Sequence, residues 1–463
     1  MPYVEWRGTT CRVRWDTGRI NPDTGKPIYE SVSGFGSEAE ALDYGFDRES
    51  DIRNDRYIAR RDGAVLMKDY CRTWPDTLEV GHLRERNIRS YLRLYIVPRW
   101  GETPVGDIKA SAYRVWKKQL KAQANIGEKY GEEILTVFSM LMDDAVEDGL
   151  RQSTPVPKGK RHRGKYKKKP RERKREMRIA DVHGLALNAA TYWGLDGFVF
   201  MYTMPFTGMR PAELYALRRE YSHPAWPASD PLDDAGEEDR KERHADDLKR
   251  YGPTLMPAVR VQWQHQREGG VLGLYPPKYE SRRPLVVPPF LAELLELLTA
   301  SHESEWVFRS IGGSLLANAN FTYTYWRPIA DGRAAREVYE RFQGGRQQTV
   351  GSRRPVPALP PTAYEGKRLY LLRHGHKEWL DDDGHSRIAV ESRMGHEVAG
   401  VEGLYANVTT GMERRIMETL QLRWLQFVAE AGDSFWGPSP SSLPPALSEW
   451  LKQQVKAAER LDS

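Results

Sequence analysis

Four short segments hold residues whose types and spacing suit chemistry on a phosphate. TGMRPAELYALR (207–218) sets Arg210 just before Pro211, a residue suited to the first position of a helix. Glu213 follows one turn on, close enough to orient that arginine. YPPKYESRRPLVVP (275–288) carries Lys278 between a proline pair and a basic, β-branched run. It reads as a hairpin with its turn at Tyr279–Ser281, and the tip of such a hairpin can reach into a DNA groove. LYLLRHGHKEWL (369–380) puts Leu369, Leu372, His376, Trp379 and Leu380 on one helical face, and Tyr370 with Arg373 on another. SRIAVESRMGHEVAGVEGLYANV (386–408) ends a short helix at Gly395, places His396 next, and has Tyr405 nine residues after that histidine. Taken singly, each segment also has an ordinary reading: a helix-start arginine, a surface lysine, an amphipathic helix, a common Gly-His pair.

Taken together they describe phosphoryl transfer without a metal or other cofactor. Two arginines grip the non-bridging oxygens of a phosphate through charge-assisted, bidentate hydrogen bonds, stabilising charge that develops at phosphorus. A tyrosine phenol is a workable nucleophile where the site favours its deprotonation. A lysine can protonate the departing sugar oxygen, and His396 can donate a hydrogen bond to the phosphate. The resulting ester conserves the energy of the broken bond, so religation needs no nucleotide triphosphate.

The elements that must position these groups are mainly helical, with small β-sheets. Residues 1–60 read as a three-stranded sheet (YVEW, CRVRWD, IYESVSG) followed by a helix capped by Ser37. This unit is either a structural cap or a sheet that lays strands into a DNA groove. Residues 64–155 show three- and four-residue apolar spacing and form a helical domain of four or five helices, with Gly149 as a C-cap. Residues 156–176 are a basic linker or exposed arm. Between Lys158 and Arg175 lie twelve Lys/Arg and one acid, a net of +11 in a chain of net +6, which leaves −5 for the remainder. Lys158, Lys160, Arg161, Arg163, Lys165, Lys167, Lys168 and Lys169 are its candidate phosphate contacts. GKRHRGKY within it approaches a P-loop but ends in Tyr166 and follows no strand, which excludes that reading. Residues 177–432 form the largest unit, mixed α/β. It contains a polar, acidic surface insertion at 226–250 and a long loop at about 331–366. Residues 433–463 are a Pro/Ser linker and a terminal amphipathic helix. The stretch 412–431 packs either on a neighbouring protomer or in the protein's own core.

The order and spacing of the four segments resemble the tyrosine recombinase family, the phage-type site-specific integrases. TGMRPAELYAL matches its first arginine box; Lys278 aligns with its hairpin lysine, Arg373 with its second arginine, His396 with its Gly-His pair and Tyr405 with its nucleophile. The resemblance spans about 184–430. Residues 64–155 are similar to the family's core-binding domain and residues 1–60 to the small arm-binding domain of some members. It implies a catalytic domain of mixed α/β fold and a site-specific DNA recombinase that integrates, and excises, a mobile element through a 3′-phosphotyrosyl intermediate. It also implies a clamp of two domains around double-stranded DNA at attachment sites, a tetramer on DNA, and an accessory excisionase or host DNA-bending protein as partner. One position departs from the pattern. Tyr370 stands where the family has histidine, and a phenol is a poorer proton acceptor near neutral pH than an imidazole.

Two other readings remain. A DNA-binding regulator without catalysis needs the basic linker and the helices, but not five chemical residues in order. A metal-dependent nuclease would draw on His374, His376 and Asp381–Asp383, yet His374 and His376 on one helix point about 200° apart. Two cysteines, Cys11 and Cys71, offer no disulfide framework and fit a reducing cytoplasm. The N-terminus has no signal-peptide pattern, and no apolar run is long enough to span a membrane.

Overall fold

Period-two strands open the chain, as the alternation predicts. A computed structural model describes residues 1–459 except 23, 55–56, 158–175, 224, 253–255, 344–345, 397–406 and 438–442. The chain divides into two compact units, Met1–Arg171 and Glu172–Ser463.

In the first unit, β1 (Tyr3–Arg7), β2 (Thr10–Ile20) and β3 (Pro27–Phe35) form an antiparallel sheet in the order β1-β2-β3. Cys11, Val13 and Trp15, alternating along β2, are buried against α1 (Glu38–Arg53) around Ala41. Ser37 caps α1, its Oγ accepting the Glu40 N–H at 3.3 Å. The rest of the unit is helical: Met67–Thr73, α2 (His82–Tyr91), Val97–Trp100, α3 (Ala110–Lys121) and α4 (Glu128–Glu147). They enclose a core rich in Trp74, Trp100, Trp116 and Phe138. Gly149 has φ +70 just past the end of α4, the left-handed residue that the sequence anticipates.

The second unit is built on α5 (Ile179–Trp193) and α6 (Leu195–Thr207). Every residue of α6 from Asp196 to Thr207 is buried, so this helix is the axis of the core. α7 (Pro211–Tyr215) follows at once. The expected surface insertion is in large part a helix, α8 (Glu237–Tyr251). Its polarity hides it from apolar periodicity. Acids in its first turn, Lys249 and Arg250 in its last, and a Glu237–Lys241 ion pair at 2.8 Å sustain it instead. It is also anchored: Trp226 and Tyr251 are buried with Met256, Ala258 and Val286.

The β-structure around Lys278 differs from the expected hairpin. β4 (Ala258–Val261) pairs with β7 (Arg283–Val286), and β5 (Gln264–Glu268) pairs with β6 (Val271–Tyr275). The two ladders are successive parts of one long hairpin whose tip is Gly269-Gly270, both at positive φ. Lys278 therefore lies not at a tip but in the bulge between the ladders. There Tyr279 and Glu280 adopt φ values of +62 and +51.

α9 (Pro289–Ala300) packs on α6. The expected long loop is a paired ribbon instead, β8 (Arg336–Gln343) with β9 (Arg346–Val356). Then come α10 (Leu371–Asp382), α11 (Arg387–Met394), α12 (Thr410–Ala431) and α13 (Pro445–Glu459). α12 buries Ile416, Leu420, Trp424, Phe427 and Val428 in the unit's own core, which settles the alternative left open for 412–431 on that face. α13 joins the same core through Leu447, Trp450 and Leu451, with the Trp450 and Trp424 rings stacked at 5.7 Å. No helix among the described residues is long and apolar enough to cross a membrane.

Candidate active site

The end of α6 organises the site. A helix leaves its last carbonyls without internal partners, and here side chains from other elements supply them. His376 on α10 bonds the Pro205 carbonyl through Nδ1 at 2.8 Å, and Arg393 on α11 donates to the Phe206 carbonyl at 2.8 Å. Arg393 Nε also donates to His376 Nε2 at 2.9 Å. Burial, reinforced by Arg393, holds the His376 pKa well below its ordinary value. Gly208 caps α6 at φ +68, and a Cβ there would lie 2.5 Å from the His376 ring. Only glycine meets both demands.

Immediately beyond, Arg210 is the residue before α7. Its backbone N–H and its Nη1 donate to the two oxygens of Glu213, at 2.8 and 2.7 Å. Glu213 is buried, and burial alone would raise its pKa. Arg283 and Arg210 outweigh that and hold it below the ordinary carboxylate value. Arg283, on β7, reaches Glu213 at 3.0 Å and donates to the Arg393 carbonyl at 2.9 Å. One carboxylate thus fixes two guanidiniums from segments 73 residues apart.

Arg373 comes from α10 and is 1% exposed. It donates to the carbonyls of Gly208 and Met394 and, at 3.2 Å, to His396 Nε2. Burial, then the charge of Arg210, lowers its pKa to about 10, so it stays protonated at neutral pH. Arg210 Nη2 bonds the next carbonyl, that of Gly395, at 3.1 Å. The two arginines meet the C-terminal turn of α11 side by side. Gly395 has φ +63, and a Cβ on it would stand within 3 Å of Arg283 Nη1 and Ser281 Oγ. Crowded, like-charged guanidiniums are a costly arrangement that a bound phosphate oxygen would relieve.

The same turn delivers His396. With Gly395 left-handed, the His396 N–H bonds back to the Glu391 carbonyl at 3.0 Å, the closing bond of a Schellman motif. This folds the imidazole over its own helix, where Nδ1 meets the Glu391 carboxylate at 2.7 Å. Lys377 of α10 holds the other carboxylate oxygen. Burial opposes ionisation of Glu391, but Lys377 and His396 prevail and its pKa is lowered.

Of the residues singled out by sequence, the structure brings Arg210, Glu213, Arg373 and His396 together. Lys278 is joined to them through its backbone: Ser281 Oγ bonds the Lys278 carbonyl at 3.0 Å and accepts from Arg210 at 3.4 Å. The Lys278 ammonium lies over the Tyr279 ring, 4.7 Å from its centroid. Tyr370 is 39% exposed at the start of α10, its ring 6.0 Å from the Arg373 guanidinium carbon. Tyr405 lies outside the described residues. So do the basic-run candidates Lys158, Lys160, Arg161, Arg163, Lys165, Lys167, Lys168 and Lys169. The nuclease reading loses a ligand, because both ring nitrogens of His376 are occupied by Pro205 and Arg393. Sequence reasoning missed Arg283, Arg393, Glu391 and Lys377. The Arg-Arg doublet after Lys278 and an acid five residues before His396 were the available signals.

No protein-family model matches the chain, and no curated protein matches it in sequence. Solved structures similar to it include the Tn1549 transposon integrase in complex with transposon right end DNA. That structure is 14% identical, covers 76% of this chain and 98% of its own, and has a TM-score of 0.49. A lambda integrase tetramer bound to a Holliday junction is 12% identical over 88% of this chain and 98% of its own, with a TM-score of 0.45. The functional reading is carried by the residues of the site.

Proposed function

We propose that this chain is a site-specific DNA strand transferase of the tyrosine recombinase type. The observation that carries the proposal is the convergence of Arg210, Arg373 and His396 on one helix end, from segments up to 186 residues apart. Tyr405 follows His396 by nine residues in the sequence. In this reading Arg210 and Arg373 clamp the scissile phosphate of double-stranded DNA, and His396 and Tyr370 assist beside it. Tyr405 attacks phosphorus to give a 3′-phosphotyrosyl link while Lys278 protonates the 5′ oxygen. Glu213 and Arg283 hold the first arginine in place. No cofactor takes part.

The proposal extends to the rest of the chain. The helical part of the first unit binds core DNA and its N-terminal sheet binds arm sites. The basic run 158–175, the linker that follows the helical part in the chain, contacts phosphates, and four protomers assemble on paired attachment sites to integrate or excise a mobile element. An accessory DNA-bending protein or excisionase sets the direction. Many phosphate contacts make binding fall steeply with salt.

The test is a suicide substrate, attachment-site DNA nicked beside the scissile phosphate. Wild type should accumulate a covalent protein–DNA adduct in the presence of chelator, and Tyr405→Phe should form none. An adduct from Tyr405→Phe, or a chelator-sensitive product lacking the protein link, would overturn the proposal.

A further inference from the structure

The site contains a histidine whose two nitrogens have opposite kinds of partner. His396 Nδ1 meets the Glu391 carboxylate at 2.7 Å and Nε2 meets an Arg373 N–H at 3.2 Å. A carboxylate held ionised only accepts, and a guanidinium only donates. Nδ1 must therefore carry the hydrogen and Nε2 the lone pair. We infer that Glu391 is a positioning residue that holds His396 as the Nδ1–H tautomer, making Nε2 the proton acceptor of the reaction; this rests on the recombinase reading.

The chemistry requires such an acceptor. Tyr405 must lose a phenolic proton to attack. Among the described residues of the site, Arg210, Arg283, Arg373 and Lys278 are donors near neutral pH, and Tyr370 is itself a phenol. The imidazole combines an acceptor nitrogen with a carboxylate partner for the charge it gains. A phosphate between the guanidiniums takes the Arg373 N–H and frees the Nε2 lone pair. In the cleavage step the Tyr405 O–H bond breaks and its proton goes to Nε2. The phenolate oxygen bonds to phosphorus, the bond from phosphorus to the 5′ oxygen breaks, and that oxygen takes a proton from Lys278. Religation runs the same transfers in reverse. His396 becomes an imidazolium facing Glu391, which Lys377 keeps ionised from α10.

Other charges around the ring work against that imidazolium. Arg373 on α10 contacts it, and Arg210 before α7 and Arg283 on β7 crowd the Gly395 backbone beside it. Glu391 is the carboxylate that touches the ring, which makes its charge, and not merely its hydrogen bond, the decisive property. The geometry arises locally. The Schellman turn at Gly395 forces residue 396 back over residue 391, so an acid at that position meets the imidazole with little further ordering.

The experiment follows single-turnover adduct formation on nicked DNA as a function of pH, for wild type and Glu391→Gln. The glutamine keeps an oxygen to accept from Nδ1 but removes the charge. The acidic limb of the profile should move to lower pH and the plateau rate should fall, because the charge facing the ring is gone. A uniform loss of rate with the limb unmoved makes Glu391 a strut and overturns the inference, as does an unchanged profile. In the wild-type protein alone, nitrogen-15 spectra of His396 should show a protonated Nδ1 and a bare Nε2 in the neutral ring. The opposite tautomer overturns the inference even if the variant fails to fold. If wild type forms no adduct, the recombinase reading fails, while the nitrogen spectra still decide the tautomer.

Discussion

Two arginine–histidine pairs stand about one helix turn apart on α10 and α11, and they differ in what surrounds them. Arg393 and His376 are sealed into the core, His376 at 0% exposure, and both ring nitrogens are used to close the end of α6. Arg373 and His396 repeat the pattern of an arginine donating to Nε2, but the His396 side chain is 40% exposed and its Nδ1 meets a carboxylate, not a carbonyl. A carbonyl fixes a tautomer. A carboxylate fixes it and also stabilises the protonated ring. The first pair is closed off in the core; the second leaves an imidazole partly exposed beside a carboxylate.

Four measurements bear on that contrast. The largest effect is expected at Arg373→Lys, which keeps a charge but loses the planar fork. Adduct formation in single turnover should fall by about 10²–10³-fold, the scale of a lost transition-state donor. A loss below tenfold would remove Arg373 from the phosphate clamp. Next is Arg393→Ala, which strips donors from the buried Phe206 carbonyl and His376 Nε2. Each buried acceptor left unpaired costs about 1–3 kcal/mol. Urea unfolding of the variant at wild-type stability would show that the core pair holds nothing.

The third concerns pH. The folded-state pKa of His376 is depressed, and burial likewise lowers His183, to about 4. The unfolded chain therefore binds these protons first as pH falls. Their contribution is fully present above about 6.5 and is lost as pH drops toward the folded values, at about 1.4 kcal/mol per unit and group. His376→Gln should flatten the slope of stability against pH in that window, and a slope unchanged from wild type would contradict a buried, neutral His376. The smallest effect belongs to Lys377→Met, at the partly exposed end of the Glu391 network. Stability should change by less than about 1 kcal/mol. Adduct formation should fall less than for Glu391→Gln, and a larger fall would place the ammonium itself at the phosphate.

The legibility of the site followed the range of its interactions. Arg210 with Glu213, and Gly395 with His396, are local devices: a proline-started helix and a left-handed cap, each written within four residues. The three-stranded sheet and the helices of the first unit were legible for the same reason, since period two and three-to-four spacing are local properties. Arg283 and Arg393 looked like ordinary charged residues, because their partners lie 70 and 187 residues away. The hairpin was misplaced because pairing is decided between strands. Tyr275 and Arg283 flank Lys278 in the chain but belong to different ladders.

The sequence by itself determined the candidate residue types and their order: two arginines, a lysine, a histidine and a tyrosine, with prolines and glycines marking where helices start and stop. Only the tertiary structure decided that the buried end of α6 is where α7, α10, α11 and β7 converge. It also decided which of two histidines, each three residues after an arginine, is sealed and which faces outward. Helical periodicity records how a segment sits on a core. It does not record which carbonyl lies beneath it, and that depends on chain closure across nearly two hundred residues.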